Sequence, residues 1–247
     1  MPEYLDVLIL FGVGLLAGVI NVMAGGGSSL TLPALIFIGL DSSLANGTNR
    51  IGILLQSITA TLTYRKAKIS EIEKSVKLSL LTLPGAVLGA LVSLKLSNEW
   101  FDRILGLVMI GIIVSMLIPQ KFEVITNGEK KSWLIYPVML GIGFYGGFIQ
   151  VGVGFLIMAA FYHLLNMDLI RVNMHKVFVT MLFTVPALII FIWTGNVDWV
   201  LGLCLAAGNA LGGWWAVRFS IKGGERIIRY VMVLAIFIIA LKLLGII

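Results

Sequence analysis

Long apolar runs separated by short polar punctuation dominate the chain. They fall near residues 5–23, 28–40, 44–63, 76–94 and 101–118, and again near 133–151, 154–166, 177–194, 199–217 and 227–246. Continuous apolar stretches of about 17 to 25 residues predict membrane-spanning helices, and shorter ones predict buried or re-entrant segments. Five elements precede the polar stretch from Gln120 to Ser132 and five follow it.

The two sets align in order. Gly14 and Gly18 match Gly143 and Gly147, Asn21 matches Gln150, and Gly25 and Gly27 match Gly152 and Gly154 after a two-residue gap. Asp41 then matches Asp168, Asn46 matches Asn173, Gly85 and Gly89 match Gly208 and Gly212, and Arg103 matches Arg226. This ordered recurrence predicts an internal duplication of the kind found in transporters. In each half the second element is short and follows a glycine cluster, Ala24 to Ser29 in one and Gly152 to Gly154 in the other.

Charge fixes the class and the topology. Only 12% of the residues are charged and the mean hydropathy is +1.04, whereas a water-soluble domain carries about 25% charged residues. The net charge of +6 does not indicate nucleic acid, because the basic residues cluster in short loops, at 65–77 and 218–229, as the positive-inside rule describes. With those loops and 120–132 cytoplasmic, the stretch 133–166 starts and ends on one side. As an unbroken helix it would run about 51 Å, against a hydrocarbon core of roughly 30 Å. It therefore folds back at its glycines, and residues 5–40 do the same from the opposite side.

The predicted fold is thus an all-α integral membrane protein of two inverted repeats. Each repeat is a glycine-broken re-entrant or hairpin helix followed by three transmembrane helices, with 1–119 as the N-terminal repeat, 120–132 as a cytoplasmic connecting loop and 133–247 as the C-terminal repeat. The acidic N-terminus lacks the basic region of a cleavable signal peptide. Trp100, Trp133, Trp193 and Trp199 stand at span ends as interfacial anchors, and Trp214 and Trp215 read as lipid-facing or packing groups. The GxxxG pairs read as helix-packing faces, within one chain or between two copies, so a homodimer stays open. The single cysteine, Cys204, reads as packing.

Candidate chemistry gathers at the breaks and at the start of each third element. At the first tip Gly25, Gly26, Gly27, Ser28 and Ser29 offer backbone N–H groups and hydroxyls suited to an oxyanion, and at the second Gly152 and Gly154 offer backbone alone; close backbone crossing would explain the glycines as well. Asn21 and Gln150 either orient a ligand oxygen or cap unsatisfied backbone. Asn49 and Arg50 in one half and Asn173 and Lys176 in the other would create positive potential that attracts an anion, or would anchor helix ends. His175 either relays a proton that couples transport to a gradient or acts as a polar cap, while His163 reads as structural. No HExxH, P-loop, GxSxG or CxxC pattern occurs, so neither a cofactor nor a metal is expected, and the spans lack the paired carboxylates or nucleophile–base pairs of an enzyme.

The stretch from Gly14 to Pro33, Ala45-Asn-Gly-Thr-Asn49, the run from Pro84 to Ala90 and the second cluster from Gly146 to Gly154 resemble the TauE/SafE family of sulfite and sulfonate exporters, also called the toluene sulfonate uptake permease family. The resemblance covers nearly the whole chain. It implies secondary transport of small sulfur-containing oxyanions such as sulfite or sulfoacetate across the inner (plasma) membrane, with substrate roles for Asn21, Gly25 to Gly27, Asn49 and Gln150. The chain departs from the family pattern at Met174-His175-Lys176. The expected function is export of such an anion coupled to protons or to the membrane potential, and the alternative is an anion channel built on the same tips.

Overall fold

A computed structural model describes residues 4–117 and 132–243, with side chains described up to 111 and from 132 to 223. The expected connecting loop, apart from Ser132, lies outside the described residues. Among the described residues ten helices follow one another: α1 (Tyr4–Met23), α2 (Ser28–Phe37), α3 (Ser42–Lys66), α4 (Ile72–Leu80), α5 (Leu83–Leu94), α6 (Asn98–Leu117), α7 (Ile135–Phe148), α8 (Val153–Leu165), α9 (Leu169–Trp193) and α10 (Trp199–Leu243). Helices α1 and α9 and the segment Trp199–Gly223 are long and apolar enough to cross a membrane, and α4 with α5 makes a fourth such unit bent by 47°. Large apolar side chains face outward, Leu8 and Leu107 among them, as lipid-exposed surfaces require. The described residues form a helical membrane protein.

Two boundaries differ from the sequence reading. The run 76–94 is broken at Leu81 and Thr82, because Pro84 at the start of α5 has no N–H to continue the ladder. Hydroxyls take over there, with Thr82 Oγ1 donating to the Ser79 carbonyl at 2.6 Å and Ser79 Oγ to the Ser75 carbonyl at 2.6 Å. Conversely, the runs 199–217 and 227–246 were expected to be separate spans, yet α10 is one helix of 45 residues. It contains no proline, and glycine at Gly223 and Gly224 costs only about 1 kcal/mol each in a helix, too little to stop one.

The two breaks the glycines predict are present. Helix α1 ends at Met23 and α7 at Phe148, and each chain reverses through left-handed backbone: Gly25 has φ +91°, Gly152 +69° and Gln150 +63°. The tips touch. A Cβ built on Gly154 would lie 2.4 Å from Gly25 Cα, and one on Gly25 would lie 2.5 Å from the Gly154 carbonyl carbon. Only glycine allows backbone to meet backbone at that distance.

The GxxxG faces pack within the chain, and they pair first elements with fourth elements of the other half. A Cβ on Gly14 would sit 2.6 Å from the Leu205 carbonyl oxygen of α10, and one on Gly208 2.2 Å from the Phe11 oxygen of α1. Likewise a Cβ on Gly85 of α5 would sit 2.2 Å from the Leu140 oxygen of α7, and one on Gly147 of α7 would sit 2.0 Å from the Ala86 oxygen of α5. Such close approach is what small-residue faces provide in lipid. The expected result of Gly154→Ala is therefore a large loss of folded protein in a thermal melt of the detergent-solubilised chain, whereas Gly12→Ala, inside α1 with nothing within 4 Å of its Cβ, leaves the melt unchanged or slightly raised. Equal melts for the two variants would contradict the tip contact.

Candidate functional site

A helix that stops inside the protein leaves its last carbonyls without intrahelical partners, and in a low-dielectric interior each one left unpaired is costly. At α1 the N–H groups of Ala24 and Gly25 both turn back to the Ile20 carbonyl, and at α7 those of Ile149 and Gln150 both turn back to Tyr145. Most of the remaining carbonyls are taken by the third helix of the other half. Arg50 of α3 donates from Nη1 to Gly146 at 3.1 Å and from Nη2 to Gly147 at 2.6 Å, and Asn46 Nδ2 donates to Phe148 at 2.8 Å. Lys176 of α9 donates from Nζ to Val22 at 2.7 Å, and Asn173 Nδ2 to Met23 at 3.5 Å. In each case the asparagine also accepts from the basic residue, at 3.4 Å for Arg50 and 2.7 Å for Lys176.

Both cations are buried, Arg50 fully and Lys176 to within 2%, and among the described residues neither meets a carboxylate. Their compensation is the partial negative charge at a helix C-terminus, about half an elementary charge, together with the face of Phe191, whose ring centroid lies 4.7 Å from the Arg50 guanidinium carbon.

Between the tips and the two third helices lies a narrow cavity. Asn21, Ser28, Gln56, Ser57, Gln150 and Lys176 supply polar groups to it, and Gly154 supplies backbone. Its accessible volume is about 10 Å³, room for one water molecule. Asn21 Nδ2 donates to Gln56 Oε1 at 3.3 Å, and Gln150 Nε2 donates to Thr184 Oγ1 at 2.8 Å. Ser28 bridges to the second tip, accepting from Gly152 N at 3.1 Å and donating to the Gln150 carbonyl at 3.3 Å. Two buried polar atoms of its lining, Ser57 Oγ and Gln150 Oε1, have no hydrogen-bond partner among the described residues. Asn49, outside the lining, accepts on Oδ1 from Thr31 at 2.6 Å, and its Nδ2 likewise has no partner among those residues. Buried polar atoms are seldom left so, and unpaired ones at a cavity mark a place for water or ligand.

Of the residues singled out in the sequence, Asn21, Ser28, Gln150, Gly154 and Lys176 thus come together at the cavity. Gly25 meets the Gly154 backbone in the tip contact beside it, and the Gly152 N–H donates to Ser28. Gly26 packs against the Phe155 ring and Gly27 against the Ala17 carbonyl, and Ser29 turns back to the Gly26 carbonyl at 2.6 Å. Arg50 and Asn173 are taken up by the helix ends. His175 faces away, its Nδ1 2.8 Å from Ser75 Oγ and its Nε2 3.6 Å from Glu71 Oε2, with Arg171 2.7 Å from the other Glu71 oxygen. Sequence reasoning missed Gln56, Ser57 and Thr180 at the cavity. Their signal is periodicity: Asn46, Asn49, Ile53, Gln56 and Ala60 form one buried face of α3, and Asn173, Lys176, Thr180 and Thr184 one of α9.

Crossing helices, a central pair of broken ones and a closed polar cavity define a multi-pass membrane transporter. The sequence matches the family described as sulfite exporter TauE/SafE over residues 10–243, and the chain belongs to that family. It is 28% identical over 238 residues to a Sinorhizobium protein named probable membrane transporter protein ORF9, covering 96% of this chain and 91% of the relative. It is also 28% identical to the probable membrane transporter protein YfcA of Escherichia coli K12, over 96% of this chain and 88% of that one. The probable membrane transporter protein YunE of Bacillus subtilis is 24% identical over 96% of this chain and 97% of its own. No solved structure matches the chain.

Loss of a capping cation removes charge-assisted bonds worth about 1.5–3 kcal/mol each and strands buried carbonyls. Arg50→Met is expected to abolish the cooperative melt of the purified protein, and Arg50→Lys to recover part of it, since one ammonium can serve one of the two carbonyls. A melt of Arg50→Met equal to wild type would show that the guanidinium has no capping role.

Proposed function

We propose that the chain exports small sulfur oxyanions, sulfite or an organosulfonate, by alternating access of the cavity between its two glycine tips. The observation that carries this reading is the unpartnered Ser57 hydroxyl beside the Lys176 ammonium in a cavity whose lining, among the described residues, has no acidic side chain. A hydroxyl, an ammonium and the Asn21 and Gln150 amides are groups that bind oxyanions, through charge-assisted and neutral hydrogen bonds. The family description, which names a sulfite exporter, supports the sulfur chemistry.

The inverted repeat of residues 1–119 and 133–247 belongs to this proposal. It is supported by the reciprocal packing of α1 on α10 and α7 on α5, and by the reciprocal capping of α7 by α3 and α1 by α9. Two such halves rocking about their tip contact would open the cavity to each side in turn. A cavity with room for one water is closed to an anion, which favours a carrier over the channel reading. All four GxxxG faces are covered within the chain, so a homodimer would need another surface. The location in this proposal is the plasma membrane.

For coupling, His175 is the proposed proton carrier. Glu71, about one-third exposed, would pass protons between water and the imidazole, which adjoins Lys176 in sequence. Counterflow of labelled sulfite into proteoliposomes is expected to be saturable in the wild type and to fall at least about tenfold in Ser57→Ala, as loss of one hydrogen bond to a charged ligand implies. Absence of saturable flux for sulfite and every organosulfonate tried would defeat the substrate assignment. His175→Gln is expected to keep counterflow but lose acceleration by an imposed pH gradient; retained acceleration would remove His175 from the coupling.

A further inference from the structure

Helices α3 and α10 run side by side in the same direction. They are in close contact from Gly47 beside Asn196, through Gly52 beside Asn209, to Gly213 beside Gln56. Beyond that level they diverge, and the gap is an outward-facing groove of about 480 Å³. Leu62, Trp214 and Ile221 form its apolar wall, and Lys66, Arg218 and Lys222 stand around it. The Arg218 guanidinium carbon lies 4.0 Å from the Trp214 ring centroid, so the aromatic face holds one cation over the groove. Among the described residues no acidic side chain lines it, and all three cations are solvent-exposed.

The place of the groove matters as much as its chemistry. Lys66 is in the last turn of α3, where the chain passes into the basic stretch Arg65-Lys66-Ala67-Lys68, so the cations mark the level where α3 leaves the hydrocarbon. About one turn before them along the two helices, Leu62 and Trp215 are exposed. A site with cations at headgroup level and an apolar wall at acyl-chain level matches one molecule in both parts. We infer that this groove binds an anionic phospholipid, its phosphate among Lys66, Arg218 and Lys222 and an acyl chain along Leu62 and Trp214. Since α3 and α10 come from opposite halves of the chain, the lipid bridges them. A free oxyanion would satisfy the cations but gain nothing from the wall.

Native mass spectrometry of the wild-type protein with equimolar phosphatidylglycerol and phosphatidylcholine tests this directly. One phosphatidylglycerol is expected to be retained in preference to phosphatidylcholine by at least about tenfold, the order that two or three cations near an anionic headgroup provide. In thermal melts, short-chain phosphatidylglycerol is expected to stabilise saturably. The half-saturating concentration should rise at least about tenfold in Lys66→Gln/Arg218→Gln/Lys222→Gln and not in Lys74→Gln/Lys77→Gln, which removes two lysines outside the groove. Equal retention of the two lipids, equal stabilisation by glycerol phosphate alone, or unchanged half-saturation in the triple variant would each overturn the assignment. If the triple variant fails to fold, the wild-type competition alone decides.

Discussion

Two helix C-termini that end inside the protein impose the constraint on which the rest depends. Their carbonyls cannot reach water, so each end must be met by donors, and a partial negative charge there favours a cation. The chain supplies a basic residue with an asparagine one turn before it: Asn46 with Arg50 and Asn173 with Lys176. Each pair comes from the half that did not supply the helix. The breaks in one half are therefore stable only in the presence of the other, which makes the two halves a single folding unit.

The same arrangement creates the cavity. Capping brings α3 against the end of α7 and α9 against the end of α1, and the tip glycines then meet with no room for side chains. Between those crossings the polar faces of α3 and α9 are left facing each other. Arg50 is committed on two of its nitrogens to carbonyls at 2.6 and 3.1 Å, while Lys176 both caps Val22 and lines the cavity. A shift of the first hairpin against α9 would release the ammonium from Val22, giving an anion a cation whose availability depends on conformation. On the proposed function, one side chain would then serve both the fold and the anion.

Much of this was legible because glycine leaves a strong mark in an apolar sequence. The two clusters located both breaks, and the short second arms implied hairpins. The motifs around them also carried the family resemblance that the match over residues 10–243 establishes. The capping role of Arg50 was not legible, since its partners are backbone carbonyls nearly a hundred residues away and a carbonyl has no sequence signature. Gln56, Ser57 and Thr180 were missed for a different reason. Each is an ordinary polar residue, and only its place on the buried face of a helix gives it meaning. The bend before α5 follows from Pro84, which segmentation by hydropathy overlooks, and α10 continues through Arg218 and Lys222 because basic residues do not themselves end a helix.

The central claim is that the cavity between the tips opens alternately to the two sides of the membrane and holds an anion. Cys204 is the one cysteine of the chain, so Ser57→Cys in a Cys204→Ser background places a single thiol in the cavity. Its rate of reaction with a membrane-impermeant thiol reagent can be measured in vesicles of either orientation. The account predicts reaction from both sides, slowed from both by sulfite or a sulfonate; reaction from one side alone, or rates indifferent to every such anion, would contradict it.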